Sequence, residues 1–397
     1  MRRPKLWLIL TCLLAYSGVS VAPAWMKVVK ANHGRDFATY HYAAAEVLEG
    51  GDPYDTRALS RRARAEETRK RVHPYFYPPP FVLSVLWSPS FELITSYQIW
   101  FWLNQGLLLL VMAMFRWWFR APWWVLGGLL LTFTPITDNA KMGQANVVVL
   151  ALSVAGLWWR NGVLVGAAAM AKMSPALYLI PWVVRRAKWP VLGAMLTAVL
   201  SSVLALPWVD FETQRRFYTE VLPTFATGQY HGLTVRIGLP ANHSIPDLLN
   251  QYWPGPDKHT LAPIAASVGK VISLGLLLGC ALLARCRTDR LGDAGLFGAV
   301  TVLMLVTPVY TYEHHLLIAL FPAAVVGAAL ADGRLGRLGW AVALPAYFFT
   351  AWPLYWLRPV QKALPELHWW LQESKFFGLV ILGLLCALTA WTGRKVE

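Results

Sequence analysis

Residues 262–284 read APIAASVGKVISLGLLLGCALLA, a run in which Lys270 is the only charged residue. A helix of roughly 20 apolar residues crosses the hydrocarbon core of a bilayer, so this run predicts a transmembrane helix. Similar runs lie on both sides of it, from Leu6 near the start of the chain to Thr392 near its end. We therefore expect an all-α integral membrane protein built as a polytopic helical bundle.

The composition of the whole chain supports the same class. Of its 397 residues, 56% are hydrophobic and 14% are charged, and the mean hydropathy is +0.43. A soluble domain of this size needs less apolar surface, so a soluble protein is excluded. The runs are continuous rather than alternating, which favours helices over membrane strands.

We predict about twelve spans from the apolar runs that lie between charged or Pro/Gly-rich breaks. Their approximate cores are 6–24, 78–93, 97–115, 122–137, 145–159, 162–184, 189–207, 262–284, 292–309, 315–330, 336–357 and 374–392. The first is interpreted as a retained span, because Ala22 to Trp25 is a poor signal-cleavage site. Residues 1–397 then form a single polytopic domain, with long outer loops at 25–77 and 208–261.

Basic residues indicate the orientation of the bundle. The chain has 36 Lys and Arg against 21 Asp and Glu, a net charge of +15. Since short cytoplasmic loops are enriched in Lys and Arg, we assign the basic loops and both termini to the cytoplasm, and we do not interpret the charge as nucleic-acid affinity. These loops contain Arg285, Arg287, Arg290, Arg334, Arg337, Arg394 and Lys395. Arg116 and Arg120 do not fit this assignment, so the topology of residues 97–159 stays open.

The first outer loop is predicted to hold two short helices near the membrane surface. Helical spacing of apolar residues predicts one from Asp36 to Leu48, which Gly50 to Pro53 ends. A second is expected from Thr56 to Val72, where seven basic residues against two acidic ones leave +5. That charge suits phosphate groups of a substrate, and it equally suits anionic lipid headgroups.

Polar residues inside a membrane protein are candidates for the active site, because their burial is costly and they mark function more often there than elsewhere. Asp36 can act as a general base, with Tyr40 one turn away on the same face. The alternative for Asp36 is an ordinary helix cap. Tyr77 lies where the loop returns to the membrane, in a Tyr- and Pro-rich stretch that interfacial anchoring also explains.

Two further clusters lie later in the chain. Gln144 and Asn146 follow Asp138, and Lys172 lies within an apolar run, where it needs either an acid such as Asp138 or a phosphate as its partner. The adjacent His314 and His315 can donate hydrogen bonds to a phosphate or orient a base, and interfacial packing is the alternative. The four cysteines, Cys12, Cys280, Cys286 and Cys386, all lie in apolar runs, so we predict neither a disulfide framework nor a thiolate metal site.

In their order along the chain, these clusters resemble glycosyltransferase family 87. The resemblance rests on Asp36-Phe-x-x-Tyr40, Gly51-Asp52-Pro53-Tyr54-Asp55, Tyr77-Pro78-Pro79, Gly143-Gln144-x-Asn146, Lys172-x-x-Pro175 and His314-His315. Two stretches depart from the family pattern. Tyr310 to Glu313 stands where a Ser-Trp-like sequence is expected, and Asn242-His243-Ser244 stands where an Asn-Gln-Ser-like sequence is common.

The resemblance implies a GT-C-type bundle in the plasma (inner) membrane whose active site faces the extracytoplasmic side. It implies transfer of a hexose, mannose by family analogy, from a polyprenyl-phosphate-linked sugar donor to a glycolipid or glycan acceptor. Asp36 would be the base of an inverting displacement. Substrate-binding roles fall to Tyr40, Tyr77, Gln144, Asn146, Lys172, His314 and His315, with the basic helix as a weaker choice for the phosphate.

No nucleotide-binding Gly-rich loop is found in the sequence, which fits a lipid-linked donor, and we expect neither a cofactor nor a metal. Two other classes of protein remain open from the sequence. One is a transporter or flippase of a lipid-linked sugar, although no internal inverted repeat is found. The other is a lipid-dependent ligase that moves a whole glycan. The sugar, the acceptor, the linkage and the oligomeric state are not determined by the sequence.

Overall fold

The computed structural model describes residues 6–28, 34–226, 237, 242–257, 259–286 and 289–393. In these ranges the chain is helical and contains no β-strand. The first helices are α1 (Leu6–Tyr16), α2 (Ala22–Val28), α3 (Arg35–Leu48), α4 (Thr56–Ala65), α5 (Leu93–Phe119), α6 (Trp123–Thr132), α7 (Pro135–Met142), α8 (Asn146–Trp158), α9 (Gly162–Ala171), α10 (Leu179–Val184) and α11 (Lys188–Ala205).

The second half continues with α12 (Phe211–Arg216), α13 (Leu222–Ala226), α14 (Ile245–Tyr252), α15 (Pro263–Leu283), α16 (Arg290–Val306), α17 (Leu320–Ala331), α18 (Gly336–Ala351), α19 (Arg358–Ala363), α20 (His368–Gln372) and α21 (Ser374–Trp391). Short 3-10 segments lie between them, and the one that matters for the site is Glu313–Ala319, directly before α17. In the part of the chain that the structure describes, the regular secondary structure is thus entirely helical, as expected for a multi-pass membrane protein.

Five helices in the described residues are long and apolar enough to cross a bilayer. They are α5, α11, α15, α21 and the continuous segment Glu313–Ala331 that ends with α17. The pair α7 and α8 makes a sixth if a helix bent by 120° counts as one span. The predicted number of about twelve spans therefore stays a prediction.

Prolines and polar residues explain where predicted spans break. Residues 78–93 do not form the predicted span, because two 3-10 segments, Pro79–Val85 and Ser88–Ser90, replace it. Proline lacks the amide hydrogen that a continuous α-helix uses, and Pro78 to Pro80 stand together here. The predicted span 162–184 is likewise divided, since α9 ends at Ala171 and Lys172 takes an extended conformation.

The centre of the bundle is formed by α16, α17 and α21, whereas α11 and α15 expose most of their apolar side chains. Small residues allow the central helices to approach closely, as is common between helices in membranes. A Cβ atom at Gly295 of α16 would lie only 2.7 Å from the backbone oxygen of Cys386 in α21. This rigid centre supports the 3-10 segment that carries the histidine pair.

Residues 34–77, which belong to the predicted first outer loop, contain α3 and α4, and the sequence predicts α3 correctly. The second helix is shorter than predicted, because α4 ends at Ala65 rather than at Val72. Arg62 of α4 donates to both carboxylate oxygens of Glu49 and also pairs with Glu46 at 3.3 Å, so part of the basic charge has a structural use.

Candidate active site

Helix α3 places Asp36 and Tyr40 on one face and is anchored at its start. The helix is preceded by Gly34, whose amide donates to the backbone oxygen of Lys141 at 2.7 Å. Gly34 is also the N-cap, and no side chain caps the helix. The interpretation of Asp36 as a cap is therefore wrong, and its buried carboxylate, in a residue only 8% exposed, has other partners.

The two oxygens of the Asp36 carboxylate have different partners. Oδ1 lies 3.1 Å from Nδ1 of His73, and Oδ2 accepts a hydrogen bond from Nε2 of Gln144 at 2.8 Å. Nε2 of His314 lies 3.8 Å from Oδ2, which is too long for a hydrogen bond but close for an electrostatic interaction. An ionised carboxylate has about four acceptor positions, so positions remain for a substrate hydroxyl.

Gln144 lies in the sharp bend between α7 and α8. Gly143 makes the bend by taking a left-handed conformation with φ of 71°. The amide oxygen of Gln144 accepts hydrogen bonds from the hydroxyls of Tyr77 at 2.8 Å and Tyr40 at 3.2 Å. Because the two tyrosines occupy the oxygen, the amide nitrogen must face Asp36. Tyr40 and Tyr77 are thus linked to Asp36 through the side-chain amide of Gln144.

The two tyrosines also contact each other and an aromatic neighbour. Their hydroxyls are hydrogen-bonded, and their rings meet edge to face with centroids 4.8 Å apart. Phe81 packs against both rings. This packing leaves few alternative rotamers for the polar groups and makes the arrangement around Gln144 rigid.

Lys172 and Asn146 form a second polar chain near Asp36. Nζ of Lys172 donates to Oδ1 of Asn146 at 2.8 Å, and Nδ2 of Asn146 donates to the backbone oxygen of His314 at 2.9 Å. The suggested pairing of Lys172 with Asp138 is wrong, because Asp138 pairs with Lys141 at 3.0 Å. Within the described residues, no carboxylate lies at ion-pair distance from Lys172, whose charge interacts with the more distant Asp36.

The two histidines point in different directions. Their rings are 4.4 Å apart and nearly perpendicular. His314 faces the base, whereas Nδ1 of His315 accepts a hydrogen bond from the backbone amide of Tyr312 at 3.3 Å. The His315 ring therefore stabilises the start of the 3-10 segment, and His314 is the histidine that faces Asp36.

The protonation of Asp36 reflects opposing effects. Burial by itself would raise the pKa of Asp36. The hydrogen bond to His73, the nearby His314 and the amide of Gln144 outweigh it and hold the pKa below its usual value of 3.8. Burial and the negative charge of Asp36 raise the pKa of Tyr77, so its hydroxyl stays a hydrogen-bond donor. The carboxylate is thus ionised at neutral pH and can accept a proton.

Two polar neighbours of the candidate site were missed by the sequence analysis. His73 lies in an irregular segment after the basic helix, where no periodicity draws attention to it. Lys375 is fully buried, and its Nζ lies 2.9 Å from Oε2 of Glu313, the residue before His314. Oε1 of Glu313 lies 3.4 Å from Nε2 of His243. A lysine at the start of an apolar span is a signal that identifies Lys375 as a candidate.

The arrangement combines a buried carboxylate with neighbouring positive charge and hydrogen-bond donors. Such a site can deprotonate a hydroxyl at Asp36 while Lys172 and His314 stabilise negative charge that develops nearby. Among the residues that the structure describes, no group of three or more His, Cys, Asp or Glu side chains is arranged to hold a metal ion.

Comparisons with known proteins identify a family. The model of glycosyltransferase family 87 matches residues 75–308, more than half of the chain. Tyr77, Gln144, Asn146 and Lys172 lie inside this range. Asp36 and Tyr40 precede it, and His314 and His315 follow it. No solved structure matches the chain.

Three curated relatives are named as polyprenol-phosphate-mannose-dependent mannosyltransferases. One is a polyprenol-phosphate-mannose-dependent alpha-(1-2)-phosphatidylinositol mannoside mannosyltransferase of Mycolicibacterium smegmatis, 27% identical over 70% of this chain and 65% of the relative. A protein of the same name from Mycobacterium tuberculosis is 27% identical over 52% of this chain and 44% of the relative. A pentamannoside mannosyltransferase of M. smegmatis is 28% identical over 65% of this chain and 60% of the relative. The matches thus span less than two thirds of each relative's own length.

Proposed function

The chain belongs to glycosyltransferase family 87, and from this premise we propose that it is a membrane hexosyltransferase. Its donor would be a polyprenyl-phosphate-linked hexose, mannose by analogy with the names of the relatives. Its acceptor would be a glycolipid or glycan, and the phosphatidylinositol mannosides named for the relatives are the first class to test.

The observation that carries the proposal is the buried carboxylate of Asp36, which has one partner on each oxygen and acceptor positions that remain for a substrate hydroxyl. In the proposed reaction, Asp36 removes the proton of an acceptor hydroxyl. The hydroxyl oxygen attacks the anomeric carbon as the bond from that carbon to the phosphate oxygen breaks, and polyprenyl phosphate leaves with the bonding electrons. A single displacement of this kind inverts the anomeric configuration.

The leaving phosphate needs stabilisation as its charge develops. Lys172 and His314 are the groups best placed for this, since both interact electrostatically with Asp36. Asn146 holds Lys172 in place and contacts the backbone of His314, so it links the two. The arginines of α4 are a weaker choice, because Arg62 already pairs with two glutamates.

The position of the site along α16 supports an extracytoplasmic location in the cell membrane. α16 begins beside a basic cluster, in which Arg334 donates to Asp289 at 2.8 Å. The helix has 17 residues and is therefore about 25 Å long. His314 follows its other end, so the site lies across the bundle from the basic cluster. Since such clusters are typical of cytoplasmic ends, the active site faces the opposite side in this proposal.

Reconstitution tests the proposal directly. Purified protein in lipid nanodiscs is given a polyprenyl-phosphate mannose with a labelled sugar and a phosphatidylinositol mannoside acceptor. We expect one labelled hexose to be added to the acceptor, with an anomeric configuration opposite to that of the donor. Movement of the donor between leaflets without product would support a flippase instead, and transfer only from lipids that carry a preassembled glycan would support a ligase.

A further inference from the structure

His73 touches the candidate base directly, and its backbone is held in place by the same helix. Nδ1 of His73 lies 3.1 Å from Oδ1 of Asp36. One turn along α3, the hydroxyl of Thr39 donates to the backbone oxygen of His73 at 3.1 Å. The preceding residue, Val72, is fixed by a hydrogen bond from its amide to Ser60 of α4 at 3.2 Å. These hydrogen bonds fix the backbone around His73 and place its imidazole beside the Asp36 carboxylate.

The other partner of the carboxylate completes a two-sided support. Gln144 holds Oδ2 from the side of the α7–α8 bend, and His73 holds Oδ1 from the side of the outer loop. A carboxylate with a donor on only one oxygen can rotate about its Cβ–Cγ bond, because the torsion of an aspartate carboxylate is broad. Two donors from opposite sides restrict that rotation and leave the remaining lone pairs in fixed directions.

We propose that His73 is a positioning residue that holds the Asp36 carboxylate in its reactive orientation during sugar transfer. The inference rests on the function proposed above, and it adds a residue that acts through the base. The His73 side chain is 51% exposed, whereas that of Asp36 is 12% exposed. His73 therefore lies between the buried carboxylate of Asp36 and the solvent-exposed surface of the loop.

The same contact predicts a pH effect on transfer. The hydrogen bond to His73 contributes to the lowered pKa of Asp36, so its removal should raise that pKa and move the acid limb of kcat/KM to higher pH. The titratable or charged groups that act on Asp36 or respond to it are His73, His314, Lys172, Arg69, Tyr40, Tyr77 and Tyr97. Only His73 is changed in the three test variants described below, so a shift of the acid limb in them is attributable to His73.

Three substitutions of His73 distinguish the effect of its hydrogen bond to Asp36 from the effect of its side-chain volume. His73→Asn keeps a donor at the place of Nδ1, His73→Gln places its amide where Nε2 lies, and His73→Ala has no donor. We expect His73→Ala and His73→Gln to lower kcat by about tenfold to hundredfold, as for loss of one hydrogen bond to a charged group, with the KM for donor little changed. His73→Asn should retain kcat within about threefold and keep the acid limb in place.

His368→Asn is the control, because His368 is exposed and lies on the short helix α20. The thermal stability of every variant is measured in parallel, and we expect little change because the His73 side chain is half-exposed. Wild-type kcat and an unmoved acid limb in His73→Ala would overturn the inference, as would equal impairment of the Asn and Ala variants. Asp36→Asn is assayed alongside. If Asp36→Asn is inactive while His73→Ala is fully active, only the role of His73 fails, whereas an active Asp36→Asn removes the proposed base itself.

Discussion

Replacing Gly143 with alanine tests how the bend between α7 and α8 builds the site. Gly143 has a φ of 71°, in the left-handed region that L-residues with a Cβ disfavour. A Cβ at this position would lie 2.6 Å from the Cβ of Phe37 and 2.9 Å from the ring of Tyr97. Phe37 is the neighbour of Asp36, and Gln144 follows Gly143, so any shift that relieves the contact moves the base or its amide partner.

Gly50 offers a matched control for the backbone effect. Its φ is 78°, yet a Cβ there would meet no atom within 4 Å. Gly50→Ala should therefore cost only the left-handed strain, about 1–2 kcal/mol. Gly143→Ala adds overpacking of a tight contact, about 1–3 kcal/mol more. The sum is about 2–5 kcal/mol for Gly143→Ala.

The assay compares both variants in the same lipid nanodiscs. Thermal unfolding followed by intrinsic tryptophan fluorescence should rank wild type first, Gly50→Ala second and Gly143→Ala last. Transfer activity measured well below the unfolding temperature should fall in Gly143→Ala and stay near wild type in Gly50→Ala. Equal stability and equal activity of the two variants would refute the reasoning, because the contact at Gly143 would then have no consequence.

Three further predictions concern the surroundings of the base. The pKa of Asp36 is held below its ordinary value by His73, His314 and Gln144, so the carboxylate is lost only as the pH falls through that lowered pKa. We therefore expect kcat/KM to show no acid limb from this group between about pH 7 and about pH 5. A limb near pH 6 that moves in Asp36→Glu would contradict this. Tyr77→Phe removes the hydroxyl that donates to Gln144 at 2.8 Å. Because one neutral hydrogen bond is lost, kcat/KM in steady-state assays should fall by up to about tenfold, with little change in stability. Unchanged kinetics would show that the Gln144 amide does not need this hydrogen bond. Lys375→Met leaves the Glu313 carboxylate without its buried cation and should lower the free energy of unfolding in denaturant by about 3–5 kcal/mol. The double variant that adds Glu313→Gln should recover part of this loss. An unchanged midpoint of the unfolding transition would mean that the pair contributes nothing to stability.

Much of the candidate site could be predicted from residue type and position. Asp36, Gln144, Lys172 and His314 come from distant parts of the chain, yet the structure brings them together. The reason is physical, since polar groups among apolar helices are stabilised by contact with one another. The roles that we assign to them stay predictions until they are tested.

The exact partners could not be predicted in the same way. Lys172 contacts Asn146 rather than Asp138, because the 120° bend at Gly143 turns Asn146 toward it. His73 and Lys375 depend on long-range packing that no local periodicity reports. Their contacts with Asp36 and Glu313 join segments that are far apart in the sequence.

Helix limits were predictable where apolar runs were uninterrupted. The predicted span 262–284 corresponds to Pro263–Leu283 and the predicted span 374–392 to Ser374–Trp391. Residues 78–93 differ because the clustered prolines favour 3-10 segments over one long helix. Hydropathy averages over such breaks, which is why it predicts apolar segments better than continuous helices.

The most direct test of the account is sugar transfer by Asp36→Asn, measured beside Glu49→Gln. Both changes replace a carboxylate with an amide, but Glu49 lies at the far end of α3, and its side chain is 66% exposed. With equal amounts of folded protein and a defined polyprenyl-phosphate mannose, Asp36→Asn should lose about 10²- to 10⁴-fold in rate, whereas Glu49→Gln stays near wild type. An Asp36→Asn protein that transfers the sugar at close to the wild-type rate would contradict the proposed base.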